Sequence, residues 1–391
     1  MLPSSQPKAI VIGAGILGLA YARSLKLAGF SVDVFERSAK ASGSSIRNFG
    51  MVWPIGQPKG TMLDRAMRTR DIWINICKSA NIWHKQTGSV QLLSNILELE
   101  LGKEFIEREN PHRPKLQLLN KEQTLSVLPI AHKQNTHGSI YSGTEIIVEA
   151  REAIRLIPEY FAEQLGIRFH FNTTVTEVQP HRIKTSTQKT YEADIIVICS
   201  GYEINLLFPE VFAAAPITIS QLNMLRSARI SQTIPAVCAG LSFLHYGSYE
   251  KLPSSAIYKK WVTDNYPAQH FHGIHLLISQ NYTNQLTIGD SHDYGQHHDP
   301  FQSNDVDQHI IDYLNDVLDI PNLSIAQRWT GQYLKLTNGK SEWFEQIEKG
   351  VFIANGPGGA GMTLGFGMAE DTISQMTVSY THLTLPTKRI V

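Results

Sequence analysis

Short apolar runs and amphipathic stretches alternate at the start of the chain and return near its end. Residues 9–12, the middle of 192–201 (EADIIVICSG) and residues 351–354 are apolar without interruption, the pattern of strands buried on both faces in a parallel sheet. Residues 16–27 place Ile16, Leu17, Ala20, Leu25 and Leu27 on the apolar side of a helix, Gly29 is placed to end it, and residues 31–35 read as the next strand. Residues 151–164 predict a further amphipathic helix, stopped by Gly166, with strand character at 168–171 and again from Val175 to Val178. Between these lies a different pattern. Residues 61–83, 97–109 and 305–318 are helical in spacing, whereas 84–94, 222–230, 235–244, 273–279 and 285–289 alternate as strands of a second sheet, and 324–336 reads as a strand crossing back. Residues 206–221 read as a Pro-containing connection. The fold class expected is α/β: a Rossmann-like domain of residues 1–55, 145–205 and 325–378, with an inserted antiparallel-sheet domain of residues 56–144 and 206–324.

The first strand runs straight into Gly13, Gly15 and Gly18 at GxGxxG spacing. Gly13 permits the bend, Gly15 lets a pyrophosphate approach the backbone, and Gly18 lets the helix pack closely on the strand. Phosphates then meet the N–H groups at the helix N-terminus, beside Ile16. Glu36, followed by Arg37, stands 18 residues beyond Gly18 at the tip of the second strand, where a carboxylate accepts hydrogen bonds from an adenosine ribose. Strand, glycines, helix, strand and acid in that order predict a bound dinucleotide. Residues 38–54 offer Ser44, Ser45, Arg47 and Asn48 within five positions of a loop that leaves the sheet where ligands of such folds lie, and Ser200 and Gly201 close a buried strand beside the same crevice. Late in the chain the logic repeats: Gly356, Gly358, Gly359 and Gly361 precede a helix that begins around Met362 and Thr363, presenting backbone N–H groups to something electron-rich.

Charge narrows the partners. Lys+Arg and Asp+Glu are both 35, so the formal net charge is zero and neither nucleic acid nor a polybasic membrane contact is expected. Cys77, Cys199 and Cys238 show no CxxC spacing and are too few for a disulfide framework, which fits a reducing cytoplasm. No signal peptide is read in residues 1–8, and no run of about 18 apolar residues is present to span a bilayer. The histidines fall into two groups, His270, His272 and His275 in a strand-like alternation, and His292, His297 and His298 in an Asp/Gly/Pro-rich loop. Neither has HExxH or paired cysteines, so no metal is expected. Residues 378–391 (VSYTHLTLPTKRIV) do not match their surroundings, interrupt a helix, and read as a non-native tail.

GAGILGLA with Glu36, the ICSG strand end and GPGGAGMTLGFGMAE together resemble the D-amino-acid oxidase and glycine oxidase superfamily of FAD-dependent amine oxidoreductases, over nearly the whole chain to about Met376. SSIRNFGMVWP, QLNMLRS and GGAGMTL are similar to a bacterial subfamily found with phosphonate catabolism and proposed to oxidise aminophosphonates. The resemblance implies noncovalent FAD, with Val175 at the adenine side and residues 358–363 at the pyrimidine edge of the flavin. It implies oxidation of a C–N bond by hydride transfer to the flavin, the imine hydrolysing in water and O₂ or an electron carrier taking the electrons. Glycine oxidase relatives carry an Arg in a WAGLRP-type strand, whereas this chain reads WTGQY and places Tyr333 there. An anionic amine then needs another cation, for which Arg226 is the first candidate and Arg47 the reserve. Arg226, Tyr333 and His292 make up the candidate catalytic set. The alternatives are a D-amino-acid or N-methyl-amino-acid dehydrogenase, and a flavoprotein of redox sensing or tRNA modification.

Overall fold

The apolar run at the start of the chain becomes strand β1 (Lys8–Ile12), buried throughout except at Lys8. In the computed structural model, which describes residues 6–109, 113 and 115–384, β1 lies inside a six-stranded sheet. Its order is Trp343–Glu348, Val351–Asn355, Ile195–Ile198, β1, β2 (Ser31–Phe35) and Arg168–His170. Val11 pairs with Val197 on one side and Val34 on the other, all in parallel. Trp343–Glu348 alone runs antiparallel, at the edge. The chain builds the sheet outward from β1 first to one side, through β2, and then to the other, through Ile195–Ile198. In open α/β sheets such a switch point is where ligands bind, beyond the carboxyl ends of the strands.

Helix α1 (Ile16–Leu27) is buried on nearly all sides from Ile16 to Leu25. The helix Gly361–Thr384 covers it: a methyl at Gly361 or Gly365 would stand 3.4 Å from Ile16, and Thr372 Oγ1 donates to the Tyr21 hydroxyl across 2.9 Å. Small residues at this crossing let the two helices approach, so Gly361, expected from the sequence to serve a ligand, also has a packing role.

The chain separates into two compact units, residues 1–45, 154–217 and 334–391, and residues 46–153 and 218–333. Residues 46–55, 145–153 and 325–333 thus fall in the second unit and 206–217 in the first. The second unit holds a nine-stranded sheet in the order Asp293–Gly295, Ile217–Arg229, Gln285–Gly289, Leu277–Gln280, Ala236–Ala239, Ser89–Leu93, Gly138–Ser142 and Leu116–Leu119, with Ile325–Leu336 pairing Ile217–Arg229. Most pairs are antiparallel; Ala236–Ala239 and Ser89–Leu93 are parallel. Phe105, Phe243 and Tyr249 stack in the core beneath it.

Three local expectations are corrected. The strand read from Leu222 begins at Ile217, inside the presumed connection, because Ile219 and Ser220 gain partners in Gly295 and Tyr294. His270 lies in a short helix, Pro267–Phe271, rather than a strand: Pro267 occupies the first helical turn and Gly273 closes the segment at φ 54°. The last helix continues to Thr384, past Val378, since the first helix-breaking residue is Pro386. Residues 385–391 of the proposed tail lie outside the described residues.

A side chain at Gly18 has no room, since a methyl there would come within 1.8 Å of the Gly13 carbonyl oxygen, an atom of the backbone. Gly18→Ala should lower stability by about 1–3 kcal/mol or more, seen as a lower midpoint in thermal unfolding. Gly247→Ala, where nothing lies within 4 Å, should leave the midpoint nearly unchanged.

Candidate functional site

The turn after β1 is built by backbone packing against backbone. Gly13 takes φ 103° and donates to the Phe35 carbonyl at 2.8 Å, and a methyl on it would meet the Cys199 carbonyl at 2.4 Å. Two side chains brace the turn. Glu36 accepts from the N–H groups of Ala14 and Ser38, both at 3.0 Å, and Ser45 Oγ accepts from Ile16 N–H at 2.9 Å. The first turn of α1 carries no acidic residue, so the positive end of its dipole stays open to an anion. Ser200 Oγ, at the end of the neighbouring strand, is shut off from solvent without a hydrogen-bond partner, and Gly201 beside it takes φ 64°. An orphaned hydroxyl, an acid at the strand tip and a helix start with no acidic residue in its first turn fit a dinucleotide.

Other residues expected at the cofactor have specific neighbours. Arg37 is ion-paired to Glu203 at 2.6 Å, Ser44 starts a 3₁₀ turn, and Val175 is buried in the strand Val175–Gln179. Arg47 and Asn48 belong to the second unit. Arg47 donates to the Thr330 carbonyl and its own carbonyl accepts from Trp329 Nε1, while Asn48 Oδ1 accepts from Gly50 N–H. Gly358 and Gly359 lie in a 3₁₀ turn, Gly361 begins the last helix, and Met362 and Thr363 are buried.

Arg226 sits on the strand Ile217–Arg229 with 8% of its surface exposed. Its Nη2 donates to Thr287 Oγ1 at 3.1 Å and stands 3.8 Å from Glu149 Oε2, whereas its Nε has no hydrogen-bond partner. Burial pulls the guanidinium below its usual range, against the attraction of Glu149. Trp329 lies under two guanidiniums, Arg151 at 4.9 Å and Arg226 at 5.8 Å from its ring centre.

His292 and Tyr333 meet elsewhere on the same sheet, their ring centres 6.3 Å apart. The hairpin of Leu277–Gln280 and Gln285–Gly289 pairs Leu277 with Gly289, and the pairing continues outward: His275 N–H donates to the Asp290 carbonyl and His292 N–H to that of His272. It gathers His275, Asp290 and His292, whose donor atoms lie within 4.8 Å of one another. Asp290 Oδ1 stands 3.9 Å from Nδ1 of each histidine and has no hydrogen-bond partner. Burial pushes its carboxyl up to about 8, only its own backbone N–H opposing. His292 Nδ1 donates to the Gly273 carbonyl at 3.1 Å. Burial likewise raises the Tyr333 hydroxyl. Position along the chain grouped these histidines wrongly. The usable signal was the NYTN turn at 281–284, about which positions 275 and 290 fold opposite each other. His297 and His298 stay apart from the cluster, His298 bridging Asp293 and the Ile219 carbonyl.

The model of the FAD-dependent oxidoreductase family matches residues 8–375. Among solved structures, L-proline dehydrogenase from P. horikoshii superposes with a TM-score of 0.76 at 20% identity, covering 96% of this chain and 94% of that one. Glycine oxidase from Geobacillus kaustophilus gives 0.74 at 18% identity, over 96% and 95%. Iminodiacetate oxidase from Chelativorans sp. BNC1 gives 0.71 at 14%, over 95% of each chain. At such identities the likeness is one of fold. A curated relative, mitochondrial protoporphyrinogen oxidase from Nicotiana tabacum, is 46% identical over 55 residues, which are 14% of this chain and only 11% of that protein.

Two outcomes follow from this geometry. A methyl added at Gly15 would face only Ser45 Oγ, at 3.1 Å, so Gly15→Ala should leave the apoprotein's unfolding midpoint near the parent's while weakening FAD binding in a fluorescence titration. Glu36→Ala should weaken it too, by roughly 1.5–3 kcal/mol for each charge-assisted bond lost. The second outcome concerns pH. Asp290 holds its proton more tightly folded than unfolded, so its contribution is fully present below the unfolded carboxyl range and is lost as pH rises through about 8. Asp290→Asn should therefore gain stability relative to the parent as pH is raised from 5 to 9, measured by thermal unfolding.

Proposed function

Because the chain belongs to the family of FAD-dependent oxidoreductases, we propose that it oxidises the C–N bond of a small anionic amine. The observation that carries this reading is Arg226: a buried guanidinium with one hydrogen bond, a loose ion pair and an Nε left without an acceptor. A buried donor without a partner costs about 1–3 kcal/mol, more when charged, and an anionic ligand removes that cost. Tyr333 can supply only a neutral hydrogen bond, so the anion falls to Arg226. The names of the structural neighbours, glycine oxidase and iminodiacetate oxidase, belong to the same chemical class. An aminophosphonate is the narrower substrate reading, supported by the sequence resemblance.

Bound FAD supplies the two-electron acceptor. Gly13, Gly15, Gly18 and Glu36 would hold its ADP half, with Val175, Ser200 and Gly201 beside it and residues 358–363 toward its ring. In the second unit Arg226 binds the anionic group, the Trp329 face keeps water from the guanidinium, and Tyr333 orients the substrate.

The test is a panel of D-alanine, N-methylglycine and 2-aminoethylphosphonate mixed with the holoenzyme without oxygen. At least one should bleach the flavin absorbance; failure of all three counts against amine oxidation. With the amine that reacts, Arg226→Met should keep its FAD content and lose about tenfold to a few hundredfold in kcat/KM. Acid precipitation should release all flavin into the supernatant, since Cys77, Cys199 and Cys238 are buried and none stands later in the chain.

A further inference from the structure

Asp290 is a second buried polar group with an unsatisfied atom, and of the opposite chemical character. It is 4% exposed, and its Oδ1 makes no hydrogen bond although two imidazoles stand at 3.9 Å. The cluster is connected to the surface. His245, which is exposed, packs against His275 with ring centres 3.6 Å apart, and His275 lies 4.3 Å from His292. The groups that face Asp290 are His275, His292 and, more weakly, Tyr333 and Tyr246. None of these is a lysine or arginine with a permanent positive charge. A structural carboxyl buried this deeply would be expected to accept hydrogen bonds, as Glu98 does from Ser94 N–H, Asn95 and Tyr258. Asp290 Oδ1 instead keeps acceptor capacity that no donor among the described residues fills.

We propose that Asp290 is a catalytic residue that receives the substrate's ammonium group and takes its proton. The inference rests on the amine-oxidation reading above. An ammonium N–H donates to Oδ1; the N–H bond breaks and an O–H bond forms on the carboxylate, the bonding electrons remaining on nitrogen. The amine is then neutral with a free lone pair, the form that can give up a hydride from its carbon, for which FAD, when bound, would be the acceptor. His292 Nε2 and the adjacent His275 and His245 offer the proton a route to solvent. Aspartate can accept only when ionised, so the step is favoured as pH rises through the range in which its buried carboxyl titrates.

The test compares parent and Asp290→Asn holoenzymes, matched in FAD content, mixed anaerobically with D-alanine, N-methylglycine and 2-aminoethylphosphonate from pH 6 to 10. For the amine that bleaches the parent, the bleaching rate should rise through an apparent pKa near 8. Asp290→Asn should lose that inflection and follow only the ammonium of the amine, with a rate about a hundredfold lower at high pH and a smaller deficit at low pH. Infrared difference spectra of the parent without amine should show a protonated carboxyl titrating in the same range and absent from the variant. A variant with the parent's pH profile, or one slowed equally at every pH, overturns the assignment while leaving amine oxidation standing. Bleaching by none of the three amines overturns both. Tight stoichiometric zinc binding by the parent and not the variant also overturns it, making the cluster a metal centre.

Discussion

Backbone-to-backbone contact at the first glycine turn is the constraint on which the first unit depends. Gly13 donates to the end of β2 at Phe35 and leaves no space for a side chain against the Cys199 carbonyl, while Gly18 lies against the carbonyl of Gly13 itself. Three strand ends and one helix start are thereby drawn to a single point. Side chains of any size would force them apart, because the atoms they meet are main-chain atoms that cannot rotate away. Glu36 and Ser45 then hold the N–H groups of Ala14 and Ile16, so the positive end of α1 is aimed and not merely present. The family's cofactor needs that arrangement: a dinucleotide pyrophosphate is recognised by backbone donors whose positions are set before it arrives.

The second unit works differently. Its sheet buries charged and polar side chains that a hydrophobic core would exclude, and each burial has a local answer only in part. Arg226 is offset by Glu149 and Thr287 and lies over Trp329, yet one of its N–H groups is left over; Asp290 is flanked by imidazoles, yet its carboxyl oxygen is left over. Such groups reduce stability unless something satisfies them, and in proteins they concentrate where a ligand does so.

The first unit was legible in the sequence because its rules are local. An apolar run, three glycines at fixed spacing, an amphipathic helix and an acid at position 36 each carry their meaning within about 30 residues, and strand, turn and helix form where these residues stand. Even there, the sequence could not say that Gly361 and Gly365 pack against Ile16, since helix-to-helix approach depends on which helices the fold brings together.

The buried polar cluster of the second unit depends on register. His275 and Asp290 are 15 positions apart and become neighbours only through the pairing of Leu277 with Gly289, and a slip of one residue would send every side chain of that strand to the opposite face. His270 and His272, close in sequence to His275, were removed from it by a helical turn at Pro267–Phe271. Sequence by itself determined the elements, the glycine turn and the acid at its rim, because those follow from backbone sterics and short-range periodicity. Tertiary structure alone decided which histidines join Asp290 and that Arg226 shares its charge with Glu149, because cross-strand neighbours and burial are properties of the folded sheet and have no signature in the order of residues.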